Sequence, residues 1–208
     1  MPARYLERIP LLLTGLRAVL GPCVVALAHF APDPAILAAC VVLAFLSDIF
    51  DGAIARRLGV ATAGLRRLDS IADSIFYLCA AWALWVLHPE IVRGNAVPLA
   101  ALAVLEIARY ALDLWKFGRE ASYHMWSSKL WGIALFAGFV AAFAAEDPGF
   151  WPALAVAVGI AADVEGLLIS LALRTWRHDV PSIFHALRIA AGENAADAIE
   201  DDEISPSH

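Results

Sequence analysis

The sequence predicts an all-α, polytopic membrane protein with six transmembrane helices, both termini cytoplasmic, and a short interfacial helix near the C-terminus. Three observations carry this. Of 208 residues, 61% are hydrophobic and only 17% charged, with a mean hydropathy of +0.70, whereas soluble domains lie nearer half apolar and a quarter charged. The apolar residues gather into six runs, each close to the roughly 20 residues that cross a bilayer. The basic residues collect at one side of those runs. An apolar surplus of this size cannot be hidden in one small core, so the composition excludes a secreted disulfide scaffold, a disordered chain and an ordinary cytosolic enzyme.

The first run is residues 9–30. The leader MPARYLER and Ala26-Leu27-Ala28 imitate a secretory signal with its cleavage site, but Arg17 interrupts the apolar core, so the run reads as a retained span. The next runs are 34–50, 71–88, 95–115, 126–145 and 151–174, with Pro32-Asp33-Pro34, His88-Pro89-Glu90 and Glu146-Asp147-Pro148-Gly149 marking turns between them. With the N-terminus inside and six crossings, the cytoplasmic segments hold Arg4, Arg8, Arg56, Arg57, Arg66, Arg67, Lys116, Arg119, Arg174, Arg177 and Arg188, and the outer loops only Arg93. That is the asymmetry of the positive-inside rule. Beyond the last run, Val180, Ile183, Phe184 and Leu187 share one helical stripe. It suits a helix in the membrane interface or one packed on the cytoplasmic face of its own protein.

Residues 1–192 read as a single transmembrane catalytic domain. Residues 193–208 carry Glu193, Asp197, Glu200, Asp201, Asp202 and Glu203 without Lys or Arg, which accounts for the whole net charge of −6. This tail reads as solvated and disordered. Cys23, Cys40 and Cys79 stand singly in apolar runs, and the absence of any CxxC spacing makes them small apolar fillers rather than metal or disulfide partners.

The chemistry concentrates in DIFDGAIARRLGVATAGLRRLDSIAD, residues 48–73. Asp48 and Asp51 are three apart at the end of the second span; Asp69 and Asp73 are four apart at the start of the third. On helices each spacing puts two carboxylates on one face. The short connection lets all four converge, where their mutual repulsion is relieved by divalent cations. Oxygen-only ligands suit Mg²⁺ or Mn²⁺, and two such ions clamp displacement at phosphorus. Gly52 permits close backbone approach, Arg56 can pair with phosphate, and Thr62 and Gly64 offer a hydroxyl and bare backbone. The plainer reading makes the acids water-facing helix ends. For Arg57, Arg66 and Arg67 the plainer reading, that they set topology, is preferred; carboxylates at a membrane edge are costly and usually functional.

Asp48-x2-Asp51-Gly52-x2-Ala55-Arg56 followed by Asp69-x3-Asp73 resembles the signature of the CDP-alcohol phosphotransferase (CDP-alcohol phosphatidyltransferase) family of membrane enzymes. Two positions depart from it. The family's glycine four residues before the third aspartate is Leu65 here, with Gly64 one residue early, and the frequent Asn after Pro10 is Leu11. The resemblance implies transfer of a phosphatidyl group from CDP-diacylglycerol to an alcohol with release of CMP. It implies two metal ions on Asp48, Asp51, Asp69 and Asp73, with Asp73 also the base for the acceptor hydroxyl. It gives Thr14, Gly52, Arg56 and Thr62, with Gly64 as the displaced glycine, to the donor nucleotide. Arg17 also looks like a first-span nucleotide contact, and the family suggests a homodimer. The expected setting is the bacterial inner (cytoplasmic) membrane, with the active site facing the cytoplasm and no nucleic-acid partner.

Glu106, Arg109 and Asp113 read either as an internal ion network or as the frame of an acceptor-phosphate site centred on Arg109. Lys129 either snorkels to the interface or reaches an anionic acceptor. The basic excess leans the acceptor toward glycerol phosphate or inositol phosphate. Asp163 and Glu165 read as structural, and Trp115, Trp126, Trp131 and Trp151 as interface anchors. The rival functional class, a carboxylate-lined ion transporter or metal-binding membrane protein, would place its acids near the bilayer midplane and leaves the glycine- and arginine-bearing segment unexplained.

Overall fold

The structure is a computed structural model that describes residues 8–60, 62–121, 123–145 and 149–192. The acidic tail, Arg4 and the Glu146–Pro148 turn lie outside the described residues, as does the side chain of Arg66. Helices dominate: α1 Ile9–Phe30, α2 Pro34–Leu58, α3 Ala63–Leu87, α4 Pro89–Gly94, α5 Ala96–Phe117, α6 Trp126–Ala144, α7 Trp151–Ala172 and α8 Ile183–Gly192.

Among the described residues five helices, rather than the expected six, are long and apolar enough to cross a membrane: α1, α2, α3, α6 and α7. The exception is α5, the expected fourth span. Its 22 residues would reach about 33 Å at 1.5 Å per residue, but Glu106, Arg109 and Asp113 interrupt its apolar sequence. Same-side termini, which need an even number of crossings, do not follow from these five.

The chain forms two compact units, Met1–Asn95 with Leu135–Ala153 and Ala96–Ala134 with Leu154–His208, so α6 and α7 each contribute to both. In the first unit α1 packs along both α2 and α3. Val24, Ala28, Leu37, Val41, Ala44, Phe76, Ala80 and Ala83 form its core, closed by Ala142 and Phe143 of α6. Small residues permit this. A side chain at Gly21 would start 3.3 Å from both the Phe76 Cα and the Cys79 Sγ, so the bare glycine sets how closely α1 and α3 approach.

The α2–α3 connection is shorter than the sequence suggests. α2 runs on to Leu58 and stops at Gly59, whose φ of 69° closes the helix in the left-handed conformation. Three residues later Thr62 caps α3, its hydroxyl accepting the Leu65 N–H at 3.2 Å. Asp33 caps α2 in the same way, accepting from the Ala35 and Ile36 amides. Both acid pairs therefore lie well inside two long helices, six to ten residues from the turn that joins them, rather than at helix ends.

In the second unit, Tyr123, Met125, Ile169, Leu173, Val180 and Ala186 form a core. The Tyr123 hydroxyl lies 2.9 Å from the Ser170 Oγ, and Ser170 donates to Asp113. Burial pushes the Tyr123 phenol above its ordinary pKa. Lys116 donates to the carbonyls of Ser170 and Leu171 near the end of α7, and Glu165 accepts the Ile183 amide at the start of α8. Val180, three residues before α8, and Ile183, Ala186 and Ile189 of α8 face this core, while Phe184 and Leu187 of α8 are exposed. The expected four-residue stripe is thus divided between a packed face and an outer apolar face. Trp115, Trp126 and Trp151 are exposed as interface anchors should be. Trp131 is not: its indole lies against Gly159, whose missing side chain leaves it room.

Candidate metal and active site

The acid cluster lies in the first unit and follows from helix arithmetic. α2 and α3 are joined by a tight turn and run in opposite directions. Asp48 and Asp73 each lie ten residues from the turn end of their helix, about 15 Å along the axis, and Asp51 and Asp69 lie seven and six residues from it, about 10 Å. The four acids therefore pair at two heights, Asp48 with Asp73 and Asp51 with Asp69. One oxygen each from Asp48, Asp51 and Asp69 gather within 4.8 Å of one another.

A fifth participant comes from α1. Because α1 packs on both acid-bearing helices, Arg17 reaches all four carboxylates. Its Nη1 lies 2.9 Å from Asp48 Oδ1 and also contacts Asp73. Its Nη2 lies 2.7 Å from Asp69 Oδ1 and also contacts Asp51. Each nitrogen serves one height of the cluster, while its Nε is buried with no hydrogen-bond partner among the described residues. One guanidinium cannot balance four carboxylates, so the ionised cluster keeps three negative charges. Arg17 is 1% exposed and the Asp51 side chain 4%, against 43% for Asp48 and 32% for each of Asp69 and Asp73. The cluster is thus closed on the Asp51 side and open on the other.

This donor set fits hard divalent cations. It is all oxygen, converges on one point, carries surplus negative charge and has an open side.

The neighbouring residues fall into place unevenly. Thr14, one turn before Arg17, is buried with its hydroxyl 3.0 Å from the Pro10 carbonyl and 3.3 Å from Asp51 Oδ2. A side chain at Gly52 would start 3.2 Å from Arg56 Nη1, so the exposed Arg56 folds back along α2 over the glycine. Thr62 is exposed and occupied as a helix cap. Gly64 is exposed in the first turn of α3 with open space around it.

The two acceptor candidates belong to the second unit. Arg109 lies 2.8 Å from Glu106 and 3.2 Å from Asp163, which is the internal ion network; Asp113 binds Ser170 instead. Lys129 is exposed, its Nζ 4.5 Å above the Trp126 ring.

Sequence reasoning missed where Arg17 sits. The signal was present, since an arginine eight residues into an apolar run needs an anionic partner, and the four acids were the obvious supply.

The family model for CDP-alcohol phosphatidyltransferase matches residues 7–176. The chain belongs to that family. The family transfers phosphatidyl groups from CDP-linked alcohols to acceptors and uses divalent metal, which makes this protein a membrane transferase. No curated protein and no solved structure matches the chain.

Proposed function

We propose that the protein makes phospholipid by transferring the phosphatidyl group of CDP-diacylglycerol to a small alcohol, with release of CMP. The observation that supports this most is the gathering of Asp48, Asp51 and Asp69 oxygens, from two helices, within 4.8 Å of one another, with Asp73 joined to them through Arg17. Asp48, Asp51 and Asp69, with Asp73, would hold two Mg²⁺ or Mn²⁺ ions. When bound, these ions supply charge neutralisation for the donor's diphosphate and for the departing CMP.

The chain's own residues do the rest. Arg56 pairs with a donor phosphate through its forked N–H groups, and Gly52 leaves the space in which Arg56 and the phosphate lie. Thr14 holds Asp51 in place with its hydroxyl, a task closer to the carboxylate than the nucleotide contact its motif suggests. The caps at Gly59 and Thr62, with Gly64 beyond, shape the rim for the nucleotide. Asp73, a third exposed, accepts the acceptor's hydroxyl proton on a carboxylate oxygen. The acceptor oxygen then attacks the lipid-bearing phosphorus, and the bond from that phosphorus to CMP breaks.

An interface site suits this chemistry, because the donor's tails stay in lipid while its nucleotide is in water. The reading places the acid end at the cytoplasmic face of the bacterial inner membrane. Arg8, Arg56, Arg57 and Arg67 lie at that end of α1, α2 and α3, and Arg93 lies beyond the other. It further takes residues 1–192 as one catalytic domain acting as a homodimer. The acceptor is taken to be anionic, glycerol phosphate or inositol phosphate.

The test is a screen of acceptors against CDP-diacylglycerol with purified protein in detergent and Mn²⁺. One acceptor should yield a labelled phospholipid together with stoichiometric CMP. Absence of CMP with every alcohol tried, from glycerol phosphate to serine, removes this reading and leaves the metal-binding membrane protein.

A further inference from the structure

Resting on the proposed metal site, we infer that Arg17 is a built-in substitute for the divalent cations: it holds the four carboxylates together when no metal is bound and competes with metal for the same oxygens. Its two terminal nitrogens contact Asp48, Asp51, Asp69 and Asp73, so a single side chain occupies the point on which the acids converge. The oxygens of Asp48, Asp51 and Asp69 that an ion would need lie within 4.8 Å of one another, and each of these residues is already engaged by Arg17.

Such an arrangement solves a folding problem. Four carboxylates brought together inside apolar helices repel one another and lose hydration. Without a cation the acidic faces of α2 and α3 would be driven apart. Arg17 supplies one charge in a rigid fork matched to carboxylates, enough to assemble the site and too little to neutralise it. The three remaining negative charges draw divalent ions in. As ions take the oxygens, the guanidinium loses its partners. Arg17 is then a positioning residue whose effect is read in metal binding and in stability without metal.

The experiment uses the full-length protein in detergent and needs no turnover. Mn²⁺ binding is followed by the electron paramagnetic resonance signal of the free ion, and unfolding temperatures are recorded in EDTA and in saturating Mn²⁺. In Arg17→Gln, unfolding in EDTA should fall several degrees below the parent, and saturating Mn²⁺ should close that gap. Mn²⁺ should bind about tenfold tighter than in the parent, a coupling of the usual size between two interacting groups. Arg17→Lys keeps one charge without the fork. It should be intermediate in both measurements, and it decides the matter where Arg17→Gln does not fold.

A stability gap that persists unchanged in Mn²⁺, or variants that bind Mn²⁺ no tighter than the parent, overturns the inference and makes Arg17 a structural ion pair. Failure of the parent to bind Mn²⁺ overturns the metal site as well. The transferase reading is judged separately, by CMP release.

Discussion

At Asp73 an oxygen-to-nitrogen exchange separates charge from shape. Asparagine fills the same volume and still accepts a hydrogen bond from Arg17, but it takes no proton from an alcohol. It also removes one of the four charges that strain the cluster. Asp73→Asn should therefore fold as well as the parent while turnover drops by about 10²-fold or more, the usual contribution of a general base. The check is initial-rate CMP release beside a thermal melt. Retained full activity would take the base role from Asp73. The residue scale is also where the sequence was most legible. The spacings of Asp48, Asp51, Asp69 and Asp73 were enough to expect convergence, because helical periodicity converts sequence distance into position on a face. The partner of those acids was not legible. Arg17 lies more than thirty residues before Asp48, and no local pattern reports which helix will pack between two others.

Among the elements, α1 carries the arrangement, because only its packing against both α2 and α3 lets one guanidinium reach four acids. Gly21 lies one turn beyond Arg17 on the side that meets α3. Gly21→Leu would push α1 away from Phe76 and Cys79, at a cost of about 1–3 kcal/mol for overpacking. It should lower the unfolding temperature and, by lifting Arg17 from α3, loosen its contacts with Asp69 and Asp73. Thermal unfolding in detergent is the measurement, with Leu20→Met, a volume-conserving swap at the neighbouring position, as the control; equal melting of the two variants would contradict this account of the helix contact. The helices themselves were read well from apolar runs, in most cases to within two residues. The acid-bearing pair was read too short, since 51–58 and 63–70 are polar enough to pass for a loop. Their helicity depends on the caps at Gly59 and Thr62 and on packing against α1, neither of which contributes to hydropathy. In α8 only half of the apolar stripe was packed, because Phe184 and Leu187 face outward.

For the whole molecule, the sequence supplied class and family more readily than the number of crossings. Apolar content identified a membrane protein. Among the described residues the span count fell from six to five because Glu106, Arg109 and Asp113 interrupt α5, and the pairing of Arg109 with Asp163 and of Asp113 with Ser170 of α7 is a tertiary fact no single run displays. Orientation is open to a simple test. With Cys23, Cys40 and Cys79 replaced by alanine and Val60→Cys placed in the α2–α3 turn, a membrane-impermeant thiol reagent should label inside-out vesicles and spare right-side-out ones. The reverse pattern would put the acid end outside. The central claim, that converged carboxylates hold metal for phosphatidyl transfer, is tested most directly by following CMP release from CDP-diacylglycerol in Mn²⁺ and in EDTA, for the parent and for Asp51→Asn. The account predicts CMP from the parent in Mn²⁺, and neither from the parent in EDTA nor from the variant in either condition. Equal release by the parent with and without the chelator, or undiminished release by Asp51→Asn, would contradict it.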